Sequence, residues 1–309
     1  MTDPSEELAS MLKDKMFDVE HALGMYATSY VIMPAAAIYD ERAVGQFGKT
    51  LSTCHIYVIG LMPRIDFAGA REESGGVLVT SFEVAGATRE LRWPLPPGAR
   101  LMYEDEFWYV VDAEGHRSFP DIDVAVKRLS DELDAISFEV LYIGQAYGKD
   151  GSRNALDRLL KHETLQKISL QGIPDGYRLN LLLLEVQPAT TMFTVFNPFA
   201  KDTEQGSRRI SSGLDKLFNT SEAERISVYE ASLIRYFQPR YNKEFKNSFP
   251  STNMKVLADC YDKDFAAVIA EICIDELPFK MFTEAVPPKL KHIAKHDLHD
   301  EAARKAFFT

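Results

Sequence analysis

Glu230 sits where a carboxylate needs a reason. Ser221-Glu-Ala-Glu224 matches a capping box and predicts a helix that runs to Gln238, where Pro239 ends it. Ile226, Leu233 and Phe237 form the apolar face of that helix, and Glu230 lies on the same stripe, one turn after Ile226. An inward carboxylate is costly unless a cation, a metal ion or several donors meet it. A second helix is predicted over residues 155–168, with Arg158 and His162 at i, i+4 and so on one face. An acid in want of a partner and a cationic pair suited to an anion are two halves of a phosphate-processing centre. The same residues also fit a plainer arrangement, in which Glu230 pairs with a core arginine and His162 is a satisfied structural histidine.

Three other groups invite chemistry less strongly. His292, His296 and His299, with Asp297 and Asp300, have the residue types of a metal site, but polar tails commonly carry such residues and no flanking motif supports a site. Arg208 and Arg209 lie in a serine-rich stretch and suit a phosphate, although a solvated loop explains them as well. Phe107, Trp108 and Tyr109 have the rings to stack on bases; an alternating aromatic strand is more often core, and core is expected.

The elements around these residues divide the chain into three. Residues 1–130 read as an N-terminal α+β domain without recognisable chemistry. Asp3, Pro4 and Glu6 form a helix start, and Leu8, Leu12, Val19, Leu23 and Tyr26 recur at helical spacing before Pro34. Short β-rich runs follow from Cys54 to Val111, then a helix with Ile122, Val126, Leu129, Leu133 and Ile136 on one stripe. Residues 131–250 read as strand (Phe138 to Gly144), helix, turn at Gly172–Gly176, apolar strand (Arg178 to Val186), a long polar loop over 187–219, and the Glu230 helix. Residues 251–309 are a small C-terminal extension. The fold class expected is α+β, a small mixed or antiparallel sheet flanked by helices.

Composition narrows the setting. The net charge is −11, which opposes extensive phosphate neutralisation, yet residues 136–250 carry 15 Lys and Arg against 13 Asp and Glu. The acidity therefore belongs to the flanks, and the middle tolerates a phosphate ligand. Cys54, Cys260 and Cys273 show no metal-type spacing and cannot all pair, which suggests a reducing compartment. The acidic opening has the wrong sign for a leader, and the run Leu181 to Leu184 is far too short to cross a membrane. A cytoplasmic protein with no membrane partner is expected.

Leu141-Tyr-Ile-Gly-Gln145 resembles the second signature of the GIY-YIG nuclease superfamily, and Arg158-Leu-Leu-Lys-His162 its next element. The stretch from Glu230 through Leu233-Ile234 and Pro239 to Tyr241-Asn242 is similar to the third. The three occur in the family's order, over roughly residues 136–250. The resemblance implies a Mg²⁺- or Mn²⁺-dependent endonuclease acting on DNA, with RNA an alternative substrate, in roles such as restriction or phage defence. Tyr142 would lie beside the attacking water and Arg158 would contact the scissile phosphate. His162 would orient the tyrosine or share in proton transfer, Glu230 would ligate the metal, and Asn242 would hold the local geometry. Lys161 and Gln145 would assist at the substrate. The first signature has no match in the ten residues before Tyr142, where Asp131–Ala135 reads as helix. Tyr109 is the nearer candidate for the missing tyrosine and Tyr57 a remoter one. That gap supports a second reading, a catalytically silent GIY-YIG scaffold that binds nucleic acid or protein.

Overall fold

The computed structural model describes residues 17–147, 155–187, 191–251, 253–263 and 265–299. The chain opens on a long strand β1 (Val19–Pro34), a 3₁₀ turn (Ala35–Tyr39), helices α1 (Glu41–Gln46) and α2 (Gly48–Thr53), and β2 (Ile56–Pro63). Six short strands follow: β3 (Ile65–Glu73), β4 (Val77–Val84), β5 (Ala87–Pro94), β6 (Arg100–Glu104), β7 (Phe107–Val111) and β8 (Arg117–Ser118), then α3 (Ile122–Leu133). Next come β9 (Ser137–Gln145), α4 (Ala155–Leu159), α5 (Glu163–Leu170), β10 (Tyr177–Val186), β11 (Thr191–Phe196), α6 (Gly206–Asn219) and α7 (Glu222–Phe237). The described chain closes with α8 (Lys255–Asp262), β12 (Ala267–Cys273), β13 (Lys280–Phe282) and β14 (Lys291–Asp297).

The fold is α+β, built on one eight-stranded mixed sheet in the order β13-β9-β2-β10-β1-β12-β14, with β11 pairing the first half of β1. Alternation along the central strands creates two cores. Ile56 and Val58 of β2 and Leu182 and Leu184 of β10 face one side, where α7 and α8 pack Ile226, Leu233 and Leu257. Tyr57, Ile59, Leu181 and Leu183 face the other, against Leu51 of α2, Leu159 of α4 and Leu165 of α5. β3–β5 and β6–β8 form two separate three-stranded antiparallel sheets. They and α3 interrupt what is otherwise a hairpin of β2 and β9, which pair antiparallel from Ile56↔Gln145 to Leu61↔Glu139.

Several expectations change. The sheet takes β1 and β2 from before residue 130 and β12–β14 from beyond 250, so the three expected segments share one sheet. Val19 to Pro34 is a strand, not the tail of a helix: Thr28, Tyr30, Val31 and Ile32 favour extended backbone, and three partner strands, β10, β11 and β12, supply hydrogen bonds. Leu8 and Leu12 lie outside the described residues. The stretch expected as a loop holds β11 and α6. The latter escapes pattern reading because it buries Gly206, Arg209, Gly213 and Lys216 while Ile210, Leu214 and Phe218 face solvent. Among the described residues no helix is long and apolar enough to cross a membrane.

Candidate active site

Tyr142 and Tyr57 lie on neighbouring strands, Tyr57 opposite Gly144 and Tyr142 opposite Ile59. Their rings stack with centroids 6.2 Å apart. The His162 ring completes the cluster, 5.3 Å from Tyr57 and 5.1 Å from Tyr142. Of the two tyrosines considered for a first signature, Tyr57 is the one that lies beside Tyr142. Tyr109 is on β7, outside the main sheet, where its hydroxyl donates to Glu104 at 2.7 Å. The 73 residues between β2 and β9 hide Tyr57 from any search close to Tyr142 in the sequence.

Gly144 makes the ring cluster fit. A Cβ there would stand 2.5 Å from the Tyr57 hydroxyl oxygen and 2.8 Å from the Tyr142 ring. Tyr57 is fully buried, so its ring has nowhere to retreat. Gly144→Ala is therefore expected to lose about 1–3 kcal/mol of stability through overpacking; thermal unfolding checks this, and an unchanged midpoint would contradict the described packing.

Arg158, on α4, lies close enough to Tyr57 and Tyr142 to favour their charged forms, and the two phenols influence each other. Burial pushes both phenols above their ordinary range, Glu230 adds to the rise, and Arg158 opposes it. Tyr57 is sealed in the core, whereas Tyr142 is half-buried and lines an open cleft.

His162 corrects the expected single helix. The chain forms α4 and α5 instead, and His162 is the N-cap of α5, its Nδ1 accepting from the Leu165 N–H at 3.1 Å. Burial, then the nearby Arg158, pushes its pKa down to about 4, so the ring is neutral at pH 7 with its proton on Nε2.

Glu230 is buried at the middle of α7. The backbone and side-chain N–H groups of Gln145, the last residue of β9, lie near enough to its carboxyl to favour the charged form. Burial raises its pKa to about 8; the Gln145 N–H groups lower it, Glu244 raises it, and Arg158 lowers it. Among the described residues it makes no ion pair, so the core-arginine arrangement does not occur. Asn242 hydrogen-bonds β9 twice: its Oδ1 accepts from Ile143 N–H at 2.9 Å and its Nδ2 donates to Ile143 C=O at 2.8 Å. With Tyr241 N–H bonded to Leu141 C=O, this ties the segment after α7 to the outer edge of β9.

Tyr142, Glu230 and Asn242 line one cleft of about 390 Å³, walled by α5 and by residues 241–245. Lys161 is exposed on the turn between α4 and α5 and is not among the lining residues; Lys167 and Lys243 are. Glu244, also lining, is the second carboxylate. Neither lysine nor Glu244 carries a pattern signal, since their place depends on how α5 and the post-helix segment meet.

The remaining candidates resolve as structure. His292 and His296 lie on β14 rather than a helix, bonded through Nε2 to the carbonyls of Lys289 and Ser232. Arg209 is buried, its Nε donating to Val19 C=O and its guanidinium 4.0 Å from the Phe17 ring centroid, while Arg208 is exposed. The core expectation fails for Phe107, which is 73% exposed; Trp108 and Tyr109 are half-buried. Asp112, Glu114 and His116 cluster on the turn after β7, but the Asp112 carboxylate is occupied by N–H groups of Glu114 and His116 and by the His116 ring. No protein-family model, curated protein or solved structure matches the chain.

Proposed function

We propose that the protein is a divalent-metal-dependent phosphodiesterase of the GIY-YIG type that cuts nucleic acid, DNA in the first instance. The observation that carries this reading is the cluster of Tyr57, Tyr142 and His162, with Arg158 near enough to act on all three and on Glu230, beside a cleft that Tyr142 and Glu230 line.

The donor set suits Mg²⁺ or Mn²⁺. Glu230 offers a carboxylate with no cation of its own, Glu244 shares the cleft, and the opening leaves room for waters and a phosphate oxygen. Glu230 is the metal ligand in this reading, and a bound ion would neutralise charge on the phosphate oxygens. Tyr142 faces the cleft and orients the attacking water, whose oxygen bonds to phosphorus as the ester P–O bond breaks. The water's proton leaves to solvent through the open cleft, and the departing ester oxygen takes one from solvent. Tyr57 lies behind Tyr142 and passes the influence of Arg158 to the Tyr142 hydroxyl. Arg158 supplies a permanently charged fork to the developing negative charge. His162 is a positioning residue: its Nδ1 lone pair is held by the α5 cap and its pKa is far below neutrality, so it fixes both tyrosines rather than cycling a proton.

The test is incubation of the full chain with plasmid, linear duplex, single-stranded DNA and RNA, with Mg²⁺, Mn²⁺ or chelator. Cleavage that requires metal and is lost in Glu230→Gln is the expected result. Binding without cleavage in every metal would overturn it in favour of a silent scaffold.

A further inference from the structure

Phe245 is a bulky residue in a conformation such residues avoid, with φ of +62°, and it lines the same cleft as Tyr142 and Glu230. A left-handed backbone at a phenylalanine costs free energy and persists only where its surroundings enforce it. Here they do: the carbonyl of the next residue, Lys246, accepts from Gln238 Nε2 at 2.6 Å and from the Arg235 guanidinium. The ring is only half-buried, packed against the core on one side and lining the cleft with the other. Lys167 and Lys243 line the cleft too, interspersed with Glu163, Glu230 and Glu244, so it offers two cationic contacts without being a basic groove.

The rest of the molecule suits a duplex poorly. Residues 64–135, which leave and rejoin the sheet at the catalytic strands, carry 8 Lys and Arg against 15 Asp and Glu. A duplex presents two rows of phosphates whose binding depends on neutralisation. A cleft of about 390 Å³ is closer to the size of one nucleotide than to that of a base-paired helix. Stacking on an aromatic ring needs no net positive charge and accepts any base.

We infer that the cleft takes an unpaired nucleic-acid strand, with the base beside the reacting phosphate stacked on Phe245 and adjoining phosphates met by Lys167 and Lys243. The inference rests on the phosphodiesterase reading and narrows its substrate to single strands, flaps or frayed ends.

The test uses the full chain in chelator, so that nothing is cut, and 12-nucleotide DNA carrying 2-aminopurine at successive positions. Single strands are expected to bind at least 10-fold more tightly than the same sequence as duplex, with fluorescence quenched at one or two adjacent positions. Phe245→Leu keeps the apolar contact and removes the stacking face; binding should weaken about 10-fold, and Phe245→Trp should restore it. Equal affinity for duplex, absence of quenching at every position, or wild-type binding by Phe245→Leu would each overturn the inference. Metal-dependent cleavage by the wild type, assayed separately, keeps the two readings apart. Cleavage without local quenching sinks the stacking alone, and quenching without cleavage sinks the phosphodiesterase alone.

Discussion

Arg158→Ala is expected to slow metal-dependent cleavage by roughly two to three orders of magnitude, with Arg158→Lys nearly as slow. Arg158 is exposed on a short helix, and its field reaches Tyr57, Tyr142, His162 and Glu230. In the proposed reading it favours charge on the tyrosine pair while its N–H groups face a phosphate. A lysine ammonium keeps the charge but has no planar fork to bridge two acceptors. Because the side chain is exposed, folding should survive either change, and thermal unfolding run beside the rate assay separates the two effects. A wild-type rate in folded Arg158→Ala would remove the residue from the mechanism.

The second large effect concerns pH. Burial raises the Glu230 pKa from an ordinary 4.5 to about 8, so the metal-free folded protein keeps a proton that the unfolded chain has released. The sign follows from linkage: this contribution to stability is complete below about 4.5, falls as pH rises, and is lost through about 8. By pH 9 the ionised, buried carboxylate should cost roughly 3–5 kcal/mol relative to its protonated form. Glu230→Gln, neutral at every pH, should flatten that part of the stability curve and unfold at higher temperature than the wild type in alkaline chelator. Added Mg²⁺ binds the ionised form, so its stabilisation of the wild type should grow with pH and vanish in the variant. Denaturation monitored from pH 5 to 9 checks both limbs. Parallel curves for wild type and Glu230→Gln in chelator would mean that this carboxyl is not desolvated.

What the sequence made legible was local. The Ser221–Glu224 capping box, the end of α7 before Pro239 and the inward position of Glu230 all rest on contacts within one helix, and all stand in the structure. The resemblance gave Asn242 only a hydrogen-bonding role in the local geometry; that its partner is Ile143 of β9 appears only in the structure. What escaped depends on partners far away in the chain. Tyr57 joins Tyr142 only through β2–β9 pairing across a long excursion, and no periodicity records that register. His162 suits a helix by spacing, yet its imidazole caps a new one, because a ring nitrogen can satisfy the Leu165 N–H that a continued helix would bond internally. The inverted polarity of α6, with buried Arg209 and Lys216, is set by Val19 and Asp259, which no window around residue 210 contains.

The excursion between β2 and β9 also bears on how the chain assembles itself. Pairing two strands across 73 unstructured residues carries a closure entropy that a short turn would not, growing with the logarithm of the loop. Once β3–β8 and α3 have formed their own local sheets and helix, Pro63 and Ser137 are no longer the ends of a free coil, and most of that entropy has already been lost. The acidic insertion then acts as the folding clasp of the tyrosine strands, and the rate at which the β2–β9 register appears should follow the rate at which the insertion itself folds.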